Sequence, residues 1–261
     1  MIKAVLLDLA GVVYDGEKAV PGATAAVDRL REAGLPVRFV SNTTRATKAA
    51  VLQRLARLGI VVGGDELFTP AEAACGWLRQ HGRSPHLLVH PDLVSEFQDI
   101  PPAVGKAIVV GDAGDAFDYR ALNAAFRELV DGAEFLALAP NRTFKDADGK
   151  LSLDAGAFVA ALEFASQKKA IVLGKPAGDF FRSALATIPC AAIDAVMVGD
   201  DAETDVAGAL RATIGDALLV RTGKYRQGDE ARFEPAPTAT LNDISAAVEW
   251  ILAKRSSCMS P

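Results

Sequence analysis

The chain has 261 residues, half of them hydrophobic and 23% charged, with a net charge of −5. That composition is globular and long enough for one large or two modest domains, and its scattered Lys and Arg form no basic stripe, which argues against nucleic acid as a partner. No run approaches the ~18 apolar residues of a membrane helix, and Asp8 and Asp15 break up an N-terminus that carries only Lys3 as a basic lead-in, so no signal peptide and no membrane are expected and the cytoplasm is the default location.

Short apolar runs bounded by Gly, Asp or Asn predict buried strands at KAVLLDL (3–9), LPVRFVSN (35–42), KAIVVGD (106–112), EFLALAP (134–140), KAIVLGK (169–175), DAVMVGDD (194–201) and ALLVRTG (217–223). Helical patterns lie between and after them, at 23–33, 47–58, 70–80, 119–130, 154–165, 179–187, 204–215 and 243–253. Thr69-Pro70-Ala71-Glu72 is a capping box with proline at the first helical position.

Alternation of strand and helix implies an α/β fold with a doubly wound, Rossmann-like parallel-sheet core. No Pro/Gly/Ser linker separates the middle of the chain from its ends. An inserted α/β cap domain at 71–168 is therefore expected, within a core made of 1–70 and 169–261.

Ligands of open α/β sheets bind at the carboxyl ends of the strands. Four strand ends here carry polar groups: Asp8; Ser41-Asn42-Thr43-Thr44; Lys175; and Asp200-Asp201 with Asp205 beyond. Asp8 and Asp200 are hard oxygen ligands suited to Mg²⁺. Ser41 and the amides after it can donate to a phosphoryl group, and Lys175 is a compact cation for a phosphate. An ionised Asp beside a metal and a phosphate can act as a nucleophile. Each feature also has a plain reading as a turn, a helix cap or a solvated loop, and it is their order along the chain that joins them.

The order DLAG…SN…GKP…GDDAETD resembles the haloacid dehalogenase-like hydrolase superfamily. The long interval from Ser41 to Lys175 and the short one from Asp8 to Ser41 are similar to its C2-capped (IIA) branch. Within that branch DLAGVVYDG, FTPAEAA, LGKPAGDFFRSAL, MVGDDAETDVAGAL and LLVRTGKYRQGDE are similar to phosphatases of phospholysine, phosphohistidine and inorganic pyrophosphate. The resemblance implies that Asp8 is nucleophile and Mg²⁺ ligand, and that the Ala10 carbonyl and Asp200 are further ligands. It implies that Ser41, Asn42 and Thr43 hold the phosphoryl group and that Lys175 bridges it to Asp8. Asp201 and Asp205 would support the metal from behind. It also implies a small phosphorylated substrate or phosphoamino acid, and dimers through the cap.

Ala10 departs from the pattern, because most phosphatases of the superfamily carry there an Asp that protonates the leaving group. Such help is typically worth about 10²–10⁴-fold. Its loss points away from alkyl phosphomonoesters and towards P–N or P–O–P bonds. Asp15 is a conceivable substitute, with a turn-forming Asp-Gly as the preferred reading. A phosphoacceptor signalling module, a catalytically weak phosphate-binding protein, a phosphonate hydrolase and a phosphomonoesterase are the competing readings.

Other residues are expected to matter less. Cys75, Cys190 and Cys258 suggest neither a disulfide framework nor a zinc site. The ending CMSP reads as a frayed tail. His81, His86 and His90 read as surface or loop residues. Phe117 and Tyr119 are expected to pack the cap. Asn141-Arg142-Thr143-Phe144, before the turn-rich DADGK, is either a substrate-selecting loop or an ordinary one. Arg45 either touches substrate or is solvated.

Overall fold

The computed structural model describes residues 1–145 and 150–257. The DADG stretch at 146–149, expected to be turn-rich, and the tail from Cys258 lie outside the described residues. The chain forms two compact units: Met1–Ser41, Leu52–Phe68 and Lys175 onward make the first, Asn42–Val51 and Thr69–Gly174 the second.

In chain order, Ala4–Asp8 (β1) is followed by the antiparallel pair Tyr14–Asp15 (β2) and Lys18–Ala19 (β3), then Ala23–Glu32 (α1), Val37–Val40 (β4), Lys48–Arg57 (α2) and Leu67–Phe68 (β5). Next come Pro70–His81 (α3), Arg83–Leu88 (β6), Gly105–Val110 (β7), Tyr119–Val130 (α4) and Glu134–Ala137 (β8), the antiparallel pair Thr143–Lys145 (β9) and Leu151–Leu153 (β10), Ala155–Ser166 (α5) and Ile171–Val172 (β11). The chain ends with Gly178–Leu185 (α6), Ala195–Gly199 (β12), a π-helical turn at Ala202–Ala207, Gly208–Arg211 (α7), Asp216–Val220 (β13), Ala239–Leu241 (β14) and Ile244–Ser257 (α8).

The first unit holds a six-stranded parallel sheet in the order β14-β13-β12-β1-β4-β5. The chain winds outward from β1 through β4 and β5, then returns to the other side of β1 with β12, β13 and β14. That is the doubly wound order, and β1 lies at its switch point, where such sheets bind ligands. Every residue of β1 and of β12 is buried, which is why both read as unbroken apolar runs. In α1 the residues Ala23, Ala26, Val27 and Leu30 are buried, and in α8 Ile244, Ala247, Val248 and Ile251 are. Both sets follow the i, i+3, i+4, i+7 stripe of a helix with one buried face.

The second unit has its own parallel sheet, in the order β11-β8-β7-β6. Its faces carry separate cores. Leu78, Val89, Val109 and Leu136 pack on one, and Ile108, Val110, Leu129 and Phe135 on the other. Successive residues of β7 alternate between the two, as a pleated strand requires.

Four details differ from the sequence expectations. The 169–175 stretch, expected to open the return of the core, contributes only Ile171–Val172, and these pair with Leu136 and Ala137 at the edge of the second sheet. Strand β6 was hidden by Pro85, which its edge position tolerates. The 204–215 helix is instead a π turn leading into α7. Tyr119 is 83% exposed rather than packed, whereas Phe117 stacks on Phe158 at 3.7 Å between ring centres. Among the described residues no helix is long and apolar enough to cross a membrane.

The Thr69 cap is present: its hydroxyl accepts from the Glu72 amide at 3.3 Å. The Glu72 carboxylate bonds the Lys48 ammonium at 2.7 and 2.8 Å. Thr69→Ala is expected to cost about 1 kcal/mol, the usual worth of such a cap, read as a lowered urea midpoint with an unchanged slope.

Candidate active site

The first unit's switch point gathers charge. β1 delivers Asp8 beside Val40 of β4, and β12 ends at Gly199, just before Asp200. The Lys175 ammonium, buried with its side chain 3% exposed, bonds Asp8 Oδ1 and lies 2.6 Å from Asp205 Oδ1. It also donates to the Val40 carbonyl at 3.3 Å. Asp8, Asp200 and Asp205 are all buried and offer oxygens within 4.8 Å of one another. Asp8 and Asp205 therefore share one buried ammonium, with the Asp200 carboxylate close beside them.

Glycine makes this crowding possible. Gly11 has φ +85° and Gly223 φ +60°, and a Cβ on either would strike the Asp200 carboxylate. A Cβ on Gly199 would strike the Asp205 side chain. The loop after β13 closes on the β1 turn: the Thr222 hydroxyl donates to the Gly11 carbonyl, and the Lys224 amide donates to Asp200 Oδ2 at 2.7 Å.

The electrostatics follow. Burial, then Asp8 and Asp205, hold the Asp200 carboxyl well above the usual range, with Lys224 only partly opposing. Burial pushes Asp205 up to about 7; Lys175 draws it down, while Asp8 and Asp201 push it up. For Lys175 burial disfavours the charge, but Asp205 and Asp8 outweigh it and the ammonium is held above its ordinary range. Asp201 stands apart from this cluster. Its Oδ1 caps the π turn by accepting from the Glu203 and Thr204 amides at 3.0 Å each. Despite its burial, Lys224 and those amides hold it below the usual carboxylate range.

Three buried carboxylates against one ammonium leave negative charge that a divalent ion would balance. The donor set, all carboxylate oxygen, suits a hard cation such as Mg²⁺.

The remaining expected site residues are placed as follows. Ser41 is buried at the end of β4, its amide bonded to the Phe68 carbonyl at 3.1 Å. Asn42 and Thr43 are half-buried in the second unit. Ala10 is exposed on the turn after β1. Asp15 is exposed and pairs with Lys18 in the β2–β3 hairpin. Arg45 is not simply solvated: it bonds Asp112 at 2.5 Å and lies 4.3 Å over the Phe144 ring. None of the histidines joins the carboxylate cluster. His81 stacks on Trp77 and His86 pairs with Glu128, while His90 Nδ1 accepts from the Asp92 amide.

Two features escaped the sequence reading. Thr222, Gly223 and Lys224 lie just past ALLV, so the rule applied to the other strand ends would have found them. Tyr14, buried on the turn after β1, has its phenol pushed up by burial and by Asp8, and Arg54 lies 5.3 Å over its ring.

A parallel α/β sheet with a carboxylate–lysine cluster at its switch point defines a protein built to handle anionic, phosphate-type groups. Residues 5–101 match the family model described as haloacid dehalogenase-like hydrolase, and residues 172–247 match a second, HAD-hydrolase-like model. The chain is 39% identical to the phospholysine phosphohistidine inorganic pyrophosphate phosphatase of Xenopus laevis, over 97% of this chain and 96% of that one. It is 43% identical to the haloacid dehalogenase-like hydrolase domain-containing protein 2 of Bos taurus, over 96% of each. A glycerol phosphate phosphatase of Mycobacterium tuberculosis, solved in complex with magnesium, superposes with a TM-score of 0.80 at 25% identity, covering 94% of this chain and 76% of that one. The chain belongs to the haloacid dehalogenase-like hydrolase family, in the branch whose members are phosphatases.

The raised carboxyls predict linkage between protons and metal. Between about 4 and about 7 the folded, metal-free protein holds a proton on Asp205 that the unfolded chain has released. Its stability from this source therefore falls as pH rises through that window. Mg²⁺ is expected to raise the melting temperature more at pH 8 than at pH 6, compared with EDTA in thermal melts. An Mg²⁺ shift independent of pH would contradict the charge imbalance.

Proposed function

We propose that this chain is a Mg²⁺-dependent phosphohydrolase working through an aspartyl-phosphate at Asp8, on substrates with P–N or P–O–P bonds. The Asp8 carboxylate, held against Lys175 and crowded by Asp200 and Asp205, carries the reading. An Asp8 oxygen attacks phosphorus and the bond to the leaving group breaks with its electron pair. Water then attacks the phosphorus of the acyl phosphate, releasing inorganic phosphate and restoring the carboxylate. Lys175, bonded to Asp8, orients its carboxylate and counters charge on the transferred oxygens. Ser41, Asn42 and Thr43 are assigned to hold the phosphoryl group.

Mg²⁺ would be held by Asp8, Asp200 and the Ala10 carbonyl, supplying a Lewis acid for the phosphate oxygens. Asp205 belongs behind these ligands, braced by Lys175 and the Asp201 amide, with Asp201 shaping the loop. The second unit, whose sheet takes in Ile171–Val172 beyond the expected 71–168, would be the family's cap, and the first unit its core. A small phosphorylated substrate or phosphoamino acid, a homodimer and a cytoplasmic location complete the reading.

Ala10 selects the leaving group. With no carboxyl at that position, a phosphoramidate nitrogen must arrive protonated, and half of a pyrophosphate can depart as a stabilised anion. An alkoxide has neither route. The phosphatase similar to this chain that is named for phospholysine, phosphohistidine and pyrophosphate supports the same choice.

Phosphate release from pyrophosphate and from a phosphohistidine mimic, with Mg²⁺, tests the proposal. Release is expected from the wild type and is lost in Asp8→Asn; folded protein inactive on both would refute it. Ala10→Asp is expected to raise kcat/KM for alkyl phosphomonoesters relative to pyrophosphate by about 10²-fold, the low end of general-acid help. An unchanged ratio would refute the assigned role of Ala10.

A further inference from the structure

We propose that Lys224 is a specificity-determining residue: its ammonium receives the anionic leaving group, the second phosphate of a pyrophosphate-type substrate, as it departs from the phosphoryl group on Asp8. This rests on the function proposed above and names the group that compensates for Ala10.

The backbone of Lys224 is fixed to the catalytic turn. Gly223 allows contact with Asp200 and with the Gly11 backbone that no other residue would permit. Thr222 bonds the Gly11 carbonyl, and the Lys224 amide bonds Asp200 Oδ2 at 2.7 Å. The side chain is not fixed in the same way. It is 52% exposed, and its ammonium lies 3.6 Å from Asp201 Oδ2, beyond hydrogen-bond distance. Lys175 is the opposite case, 3% exposed and saturated by Asp8 and Asp205. One lysine is committed to the nucleophile; the other is joined to the cluster by its backbone amide on Asp200, while its exposed ammonium is loosely tethered to Asp201 beside it.

Chemistry needs such a group here. Without an acid at position 10, charge that develops on the leaving oxygen must be met by a cation instead of a proton. An inorganic phosphate leaving group is multiply charged and compact, so a nearby ammonium favours it strongly. A p-nitrophenolate carries one charge spread over the ring and nitro group, and gains less. Asp201 keeps the ammonium near the site before substrate arrives, and the bound anion displaces it.

The test compares kcat/KM for pyrophosphate with that for p-nitrophenyl phosphate in the wild type, Lys224→Met and Lys224→Arg. Lys224→Met is expected to lower the pyrophosphate-to-nitrophenyl ratio at least about tenfold, and Lys224→Arg to restore most of it. An equal loss on both substrates, or no recovery with Arg, overturns the proposal. Calorimetric binding of imidodiphosphate and of inorganic phosphate, with Mg²⁺, gives a readout without turnover. Lys224→Met is expected to weaken imidodiphosphate about tenfold more than phosphate, and equal weakening overturns the assignment. If the wild type cleaves neither substrate, the hydrolase reading falls, and the binding comparison alone decides Lys224.

Discussion

The structure turns on a charge imbalance held in the interior. Asp8, Asp200 and Asp205 are buried together, and Lys175 is the buried cation among them. Like charges this close and this buried cannot all ionise without compensation, because the interior screens them poorly. Burial and mutual repulsion push the Asp200 and Asp205 carboxyls up, towards the protonated form, and a divalent ion would offset the charge better. A site with this excess charge is unstable as a bare scaffold and gains from what it binds. That is the mark of a functional centre more than of a structural ion pair.

The sheet topology creates the imbalance. β1 has β4 on one side and β12 on the other, and the register Leu7↔Val198 sets the ends of β1 and β12 level. Asp8 and Asp200 then emerge side by side at the switch point. Slipping either strand by one residue would turn these side chains to the other face of the sheet. Gly11, Gly199 and Gly223 give up side chains so that two carboxylates and a loop occupy the space. Apolar burial along β1 and β12 fixes the register, and so indirectly fixes the distances between charges.

Much of this was readable beforehand, for a physical reason. Parallel strands buried on both faces are continuous apolar runs, so their ends are marked by the first polar residue, and Asp8, Ser41 and Asp200 were found that way. Strands that are short or lie at a sheet edge lack this mark. β6 carries Pro85 at a sheet edge, and β11 is two residues long and joins a different sheet from the one its sequence suggested. Tyr119 was misjudged because an aromatic at a helix start says nothing about which way it faces. The partner of Arg45 was illegible, since Asp112 is far away in sequence and only the tertiary fold joins them. The roles of Asp201 and Asp205 diverge only in three dimensions. One caps a turn and the other faces Lys175, though they are four residues apart in one acidic stretch.

Ala10 changes what kind of selectivity such a site can have. A general acid serves many leaving groups, because a proton stabilises any departing oxygen. Fixed cations serve only those that leave with concentrated negative charge, while a P–N nitrogen that arrives protonated needs neither. Lys175 cannot take this part, since Asp8 and Asp205 occupy it on the nucleophile side. The open ammonium of Lys224 can, and the loop that carries it is anchored to the Gly11 carbonyl, one residue from the missing acid. Replacing a proton donor by a tethered cation would narrow the substrate range without moving the nucleophile. It would also make discrimination depend on the charge of the leaving group more than on its shape.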